Sequence, residues 1–470
     1  MKTFETLTKL DPHQIPAFEK MKPVRVGALF MPMGSGKTRT AIEIVHARQF
    51  KIDRVVWFCP VNAKRNIRDE ILKHTTSQDV YAFGDNTNEK NLPDVSWYVI
   101  GIESFSQSDR VTLTTHQLIT ENTFVILDES DYIRGHVSKR TMRITKLSEH
   151  CLYRLILTGT PTDKGEVDLY SQMRFLSPKI LGYSSFYSFK SNHLEYSEQY
   201  PGKFVRAHNT EYLAAKMKPY VYQVTKEECM KLPPKLFCTR YLDMTQEQQE
   251  YYEAAKWEIL QEYQDGIDDY AIFRLFGVLQ QIVSGFWNRK KDGKFRFVEI
   301  PHERLWTLEN TIEEIAPAEK IIIWAKFRYD IEGITELLHK KYGKDSYSLL
   351  YGDISKRRRI QEIERFRKEA KFLITTQSCG GRSLTLNESR YHIFYNNTFK
   401  WGEREQAEDR SHRRGQEFPP TYVDIHCRNS IDNRIWEALQ KKQNVAVAFR
   451  QELEKVKNDK IKWKELIMAL

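Results

Sequence analysis

Residues 31–38 read Met-Pro-Met-Gly-Ser-Gly-Lys-Thr, and no other stretch limits what this chain can fold into as tightly. Gly34 and Gly36 permit a tight turn with backbone N–H groups pointing inward. The apolar residues 27–30 before the loop predict a buried strand. After it, Ala41, Ile44, Val45 and Arg48 recur at helical spacing. Strand, glycine loop and helix start in that order build a phosphate cradle, completed by the positive end of the helix dipole. Lys37 is expected to reach the β- and γ-phosphates of ATP, and the Thr38 hydroxyl to sit on Mg²⁺. The match is partial, because Met31 stands where the full pattern has another glycine.

A second apolar run, residues 123–127, delivers Asp128 and Glu129 at a strand's C-terminal end. Asp128 is expected to hold Mg²⁺ through water, and Glu129 to orient and deprotonate an attacking water. A further buried strand over 151–157 ends in Thr158-Gly159-Thr160-Pro161. Two hydroxyls and a glycine there suit a hydrogen-bonding switch between the acids and a neighbouring domain. Ahead of the loop, Gln14 carries an amide that donates and accepts at once, matching the edge of an adenine. Residues 53–60 and 95–100 predict two more strands. After Pro60, Asn62, Lys64 and Arg65 gather at a helix start, which suits a nucleic-acid phosphate and equally suits a solvated helix end.

At 470 residues the chain exceeds one hydrophobic core, so two or three domains are expected. A net charge of +10 fits a polyanionic partner, nucleic acid first. The six cysteines are scattered without zinc spacing and read as reduced thiols of a cytosol-like compartment. No apolar run approaches the roughly 18 residues of a membrane span.

Taken in order, Gln14, the loop, Asp128-Glu129-Ser130 and the Thr158–Pro161 turn resemble the first RecA-like domain of a superfamily-two helicase. The stretch over 157–178, LTGTPTDKGEVDLYSQMRFLSP, narrows the resemblance to Swi/Snf-type DNA translocases, whose loop also reads MGxGKT as 33–38 does. Residues 232–252 are similar to that family's linker, and 371–386 match its fifth motif loosely, with one extra residue. Residues 406–416, QAEDRSHRRGQ, fit its sixth motif at every fixed position. The resemblance implies an α/β fold of two tandem RecA-like domains with a helical and hairpin insertion. It places the first domain at 1–230, linker and protrusion at 231–305, the second domain at 306–440, and a bracing helix with a basic tail at 441–470.

It also implies roles. Gln14, Met33, Gly34, Ser35, Gly36, Lys37, Thr38 and Arg39 would bind ATP, and Thr38 and Asp128 the metal. Lys37, Glu129, Arg410 and Arg413 would act in catalysis, Arg413 foremost as the γ-phosphate finger. Three residues apart, the two arginines would share one face of a helix. Thr158, Gly159, Thr160 and Gln406 would couple hydrolysis to motion, and Asn62, Lys64, Thr376, Gly381 and Arg382 would touch DNA. The implied activity is a DNA-stimulated ATPase that translocates on double-stranded DNA, forked or branched DNA included. The alternative is a strand-separating DNA or RNA helicase. A monomer is expected, in the cytoplasm of a bacterial or phage-infected cell or in a eukaryotic nucleus. Between the domains, residues 284–300 predict a β-hairpin turning at Asp292-Gly293, with Arg289, Lys290, Lys291, Lys294 and Arg296 along it. A DNA contact and a solvated edge hairpin both fit it.

Overall fold

The computed structural model describes residues 1–162, 165–196, 204–230, 232–262, 269–291, 294–380, 386–441, 445, 448–449, 452 and 460–470. The chain divides into two units, Met1–Lys231 and Leu232–Leu470.

The first unit is built on a seven-stranded sheet. Its strands are β1 (Val26–Phe30), β2 (Arg54–Cys59), β3 (Val80–Ala82), β4 (Trp97–Gly101), β5 (Thr123–Asp128), β6 (Tyr153–Thr158) and β9 (Val221–Gln223). A small antiparallel pair, β7 (Leu194–Tyr196) and β8 (Phe204–Ala207), stands apart. The order is β3-β4-β2-β5-β6-β1-β9, every pairing parallel. Both faces are covered, which is why the central strands are continuous apolar runs. Ala28, Val56, Val125 and Ile156 enter one core with Ile144 and Met173 from flanking helices. Their neighbours Leu29, Trp57, Ile126 and Leu155 enter the other, with Ile42, Val45 and Ile67.

The second unit carries a six-stranded sheet in the order β10-β17-β16-β13-β15-β14. Its strands are β10 (Leu236–Leu242), β13 (Ile321–Trp324), β14 (Tyr347–Leu350), β15 (Phe372–Thr375), β16 (Tyr391–Phe394) and β17 (Thr421–Cys427), all parallel. Residues 236–242, read from sequence as part of a connection, are thus an edge strand. The helices Gln246–Glu262 and Asp269–Val283 share a core with Ile321 and Ile323. Phe276 and Leu279 are buried there, whereas Phe273 is exposed. The expected hairpin forms from β11 (Phe286–Lys291) and β12 (Lys294–Glu299). The basic tail docks as the helix Lys460–Met468, with Ile467 buried and the Met468 carbonyl accepting from Lys256 Nζ at 2.8 Å. Among the described residues no helix is long and apolar enough to cross a membrane.

Candidate nucleotide site

The loop leaves β1 and enters the helix Lys37–His46. Gly34 and Gly36 have φ of 79° and 78°, the left-handed region that glycine alone enters freely. Gly36 is also sterically enclosed, since a Cβ there would lie 2.0 Å from Gln14 Nε2. Gln14 is buried; its amide nitrogen donates to Ser35 O at 3.0 Å and Gly36 O at 3.3 Å, and its oxygen accepts from the Asp11 N–H at 2.8 Å. Both ends of the amide are engaged, so here Gln14 braces the loop from behind instead of presenting a free edge to adenine. His13 Nε2 lies 2.8 Å from the same Ser35 carbonyl. Ser35 Oγ donates to Pro32 O at 2.7 Å. Lys37 curls over the loop, donating to Met31 O at 2.8 Å and Pro32 O at 3.2 Å.

Met33, Gly34 and Thr38 are half-buried around this turn. Arg39, expected on the nucleotide, is buried and turned elsewhere. It donates to Thr8 Oγ1 at 2.8 Å and Glu43 Oε2 at 2.6 Å, and also to the Thr8 carbonyl. It clasps the N-terminal segment, because Glu43 one helical turn on draws the guanidinium away from the loop.

Strand β6 lies between the loop strand β1 and the acid-bearing strand β5. Asp128 ends β5, and the Glu129 N–H donates to its Oδ1 at 3.0 Å. Burial, reinforced by Glu129, pushes the Asp128 carboxyl up to about 7, while nearby Lys37 pulls it down. Glu129 adopts φ 52° and ψ 60°, an uncommon conformation for a glutamate that turns the chain off the strand. The Thr158–Pro161 turn packs on the loop: Met31 N–H donates to Thr158 O at 3.1 Å. A Cβ on Gly159 would come within 3.4 Å of Met31 O and 3.5 Å of Met33 N.

Residues with no motif signal tie these pieces together. Ser130 Oγ donates to Gln172 Oε1 at 2.6 Å, and Gln172 Nε2 donates to Pro161 O at 2.7 Å and Asp168 O at 2.9 Å. Arg134 donates to the Thr160 carbonyl and pairs with Asp168 at 3.5 Å. The one available sequence hint is a buried glutamine in the helix Leu169–Leu176, whose buried side chains are otherwise mostly apolar.

The residues present fit a magnesium nucleotide. The loop supplies the start of the helix Lys37–His46 and the Lys37 ammonium, and the raised Asp128 is a carboxylate in need of a cation. Among the described residues no three His, Cys, Asp or Glu side chains form a metal site of their own. Mg²⁺ typically takes one or two carboxylates and completes its shell from phosphate and water.

At the second helix start the cations do not converge as expected. Lys64 donates to the Phe83 carbonyl, Arg65 pairs with Asp69 at 3.8 Å, and Glu103 Oε2 accepts the Val61 N–H at 2.8 Å. Asn62 remains exposed.

In the second unit Gln406 lies half-buried in the helix Trp401–Glu408, which stops before the arginines. Arg410 and Arg413 stand in successive turns, so the shared helical face does not exist. Arg410 is buried and Arg413 half-buried. A buried ion network anchors this segment. Arg404 donates to Asp424 Oδ2 at 3.0 Å and to Glu408 Oε1 at 2.7 Å, and Lys235 reaches Glu408 Oε2 at 2.8 Å. Asn387 Nδ2 holds the Arg414 carbonyl at 2.9 Å, and Gly415 turns at φ 92°. Thr376 Oγ1 accepts the Cys379 N–H at 3.2 Å; Gly381 and Arg382 lie outside the described residues.

A glycine loop after an inner parallel strand, facing paired acids two strands away, defines a P-loop nucleotide-binding protein. Within that class the chain belongs to the SNF2-related domain family, which matches residues 18–284, and the helicase conserved C-terminal domain matches 303–415. It is similar to an uncharacterized ATP-dependent helicase of Mycoplasma genitalium, 25% identical over 68% of this chain and 30% of that protein. It is also similar to a Caenorhabditis elegans homolog of the SWI/SNF-related matrix-associated actin-dependent regulator of chromatin subfamily A-like protein 1. There the identity is 23%, over 88% of this chain and 58% of that one. The chain thus spans less than two thirds of the length of either relative. The Sulfolobus solfataricus SWI2/SNF2 ATPase core, solved in complex with dsDNA, is 21% identical, with a TM-score of 0.44 over 99% of this chain and 96% of that chain.

Proposed function

We propose that the chain is a DNA-stimulated ATPase that translocates along double-stranded DNA. The observation that carries the reading is the packing of Gly159 against Met31 and Met33, which joins the phosphate loop to the turn beyond the acid strand. A change at the loop on hydrolysis would therefore reach the Thr158–Pro161 turn directly. Lys37 holds the phosphates, and Thr38 and Asp128 hold Mg²⁺, which when bound would neutralise charge on the phosphates. Glu129 orients the attacking water and takes its proton. Arg413, with Arg410 second, neutralises charge developing on the γ-phosphate. Backbone contacts suffice for walking on duplex DNA, so little base specificity is expected. Membership of the SNF2-related family supports the ATP-driven step, and the net charge of +10 supports a polyanionic track.

The test is ATP turnover against a panel of blunt duplex, single-stranded DNA, forks and RNA, paired with displacement of a triplex-forming strand. Duplex-stimulated turnover with triplex displacement is expected, abolished by Lys37→Ala and by Glu129→Gln. Unwinding of a plain fork without triplex displacement overturns translocation in favour of strand separation.

A further inference from the structure

The hairpin β11–β12 has two unlike faces, set by its register. Cross-strand partners share a face. Trp287 opposite Val298 and Arg289 opposite Arg296 form one; Phe286 opposite Glu299 and Asn288 opposite Phe297 form the other. The first is seated on the protein. Trp287 is buried against Tyr251, and Arg289 lies over Trp287 and pairs with Glu258 of the helix Gln246–Glu262. The second is aromatic, with Phe286 buried at its base and Phe297 outermost. The Phe297 ring is 57% exposed, 5.9 Å from Phe286 and 5.8 Å from Tyr329, and Phe286 lies 4.7 Å from Tyr329. Tyr329 is fixed by its hydroxyl, which donates to Glu299 at 3.1 Å. Three rings, two strands and a helix start thus hold one platform with an exposed outermost ring.

The charge around the platform selects its occupant. Residues 286–299 carry Arg289, Lys290, Lys291, Lys294 and Arg296 against Asp292 and Glu299 alone. The Glu299 carboxylate is engaged by Tyr329 and Arg289 by Glu258, while Arg296 is exposed. An exposed ring in a cationic setting matches a nucleotide, with the ring taking the base and the cations the backbone. Bases inside a duplex have no free face, so only an unpaired base can lie on Phe297.

We infer that the hairpin β11–β12 is a binding site for an unpaired DNA base next to a duplex, stacked on Phe297, with Arg296, on the hairpin's other face, reaching a phosphate of the adjoining duplex. This rests on the motor reading above and adds to it a preference for a particular part of the track: duplex ends, tails and junctions.

The experiment uses the full chain and duplexes of equal length, blunt or with a single-stranded extension carrying a fluorescent base analogue beside the junction. Affinity is read by anisotropy across a salt series, and stacking by quenching of the analogue. Phe297→Ala is expected to lose about tenfold in affinity for the tailed duplex and to abolish the quench. It should leave the blunt duplex and blunt-duplex-stimulated ATPase unchanged, and Phe297→Tyr should restore both tailed-duplex readouts. Arg296→Ala is expected to weaken both DNAs alike and to lower the salt slope by about one. Phe297→Ala that binds the tailed duplex as the wild type does, or loses equally on both, overturns the inference. If DNA still stimulates wild-type turnover in that case, the motor reading stands and only the hairpin site falls. A wild type that binds neither DNA overturns both.

Discussion

Ser130 donates its hydroxyl to the side-chain oxygen of Gln172 at 2.6 Å, and both residues are buried. Through that bond the residue after Glu129 is linked to the Pro161 carbonyl, so hydrogen bonds connect the acid pair to the threonine turn. Gln172→Ala leaves the Ser130 hydroxyl and two carbonyls without their partner. It is expected to destabilise the first unit by about 1–3 kcal/mol in denaturant unfolding. If the link transmits the state of the site, kcat falls at least ~tenfold while KM for ATP moves little, the signature of an interaction made in the transition state.

Gly36 is enclosed by its own backbone angle and by Gln14. Gly36→Ala is expected to lose nucleotide binding and to destabilise the chain by at least ~1 kcal/mol from the positive φ alone. Combining it with Gln14→Ala removes the steric conflict and leaves the backbone strain. The double variant is therefore expected to recover part of the stability, but not the wild-type value. Thermal unfolding of the four proteins reads the cycle.

Asp128 makes stability fall as pH rises. Its carboxyl is raised from the model-compound 3.8 to about 7, so between those values the folded chain holds a proton the unfolded chain has released. This unfavourable contribution is absent at pH values below the unfolded value and complete above about 7. Without nucleotide, Asp128→Asn is expected to be more stable than wild type at pH 8 by on the order of 4 kcal/mol and nearly equal at low pH. Urea unfolding at the two ends of the range checks it. Adding Mg²⁺ and a nucleotide should narrow the gap by stabilising the wild type.

The inner strands and the loop were legible because parallel strands covered on both faces leave nearly continuous apolar runs, as in 124–127 and 155–157. Asp128 and Glu129 stood out because acids end such a run. Gln172, Arg134 and the Arg404–Asp424 pair left no comparable trace. Each is defined by a partner 20 or more positions away, and spacing along the chain carries no record of it. Strand β10 was obscured for another reason: as an edge strand it leaves Leu236, Phe237 and Tyr241 exposed, so its pattern resembles a connector. The spacing of Arg410 and Arg413 suggested a helix, but the chain leaves helical geometry at Glu408 and turns at Gly415. Arg39 misled because adjacency in sequence to Thr38 says nothing of where a long side chain finds its anion.

The Arg404–Asp424 pair supports the turns that carry Arg410 and Arg413. Asp424→Ala leaves a buried guanidinium short of its bidentate partner and is expected to destabilise the second unit by about 3 kcal/mol. Arg404→Met with Asp424→Leu removes both charges and should be less damaging than the sum of the single changes. Turnover is expected to fall in both, since the turns lose their anchor. Denaturant unfolding and ATPase rates measured side by side separate the two effects.

Glu129 occupies a backbone conformation that suits glycine or asparagine better than glutamate, at about 1 kcal/mol. A library enriched only for heat tolerance should therefore drift at this codon toward those two residues, and, with Glu129 as the proposed base, its survivors would be sturdier and inert. On that proposed role, a lineage that retains the acid in spite of the pull keeps turnover under selection, and position 129 reads out whether the proposed motor is in use.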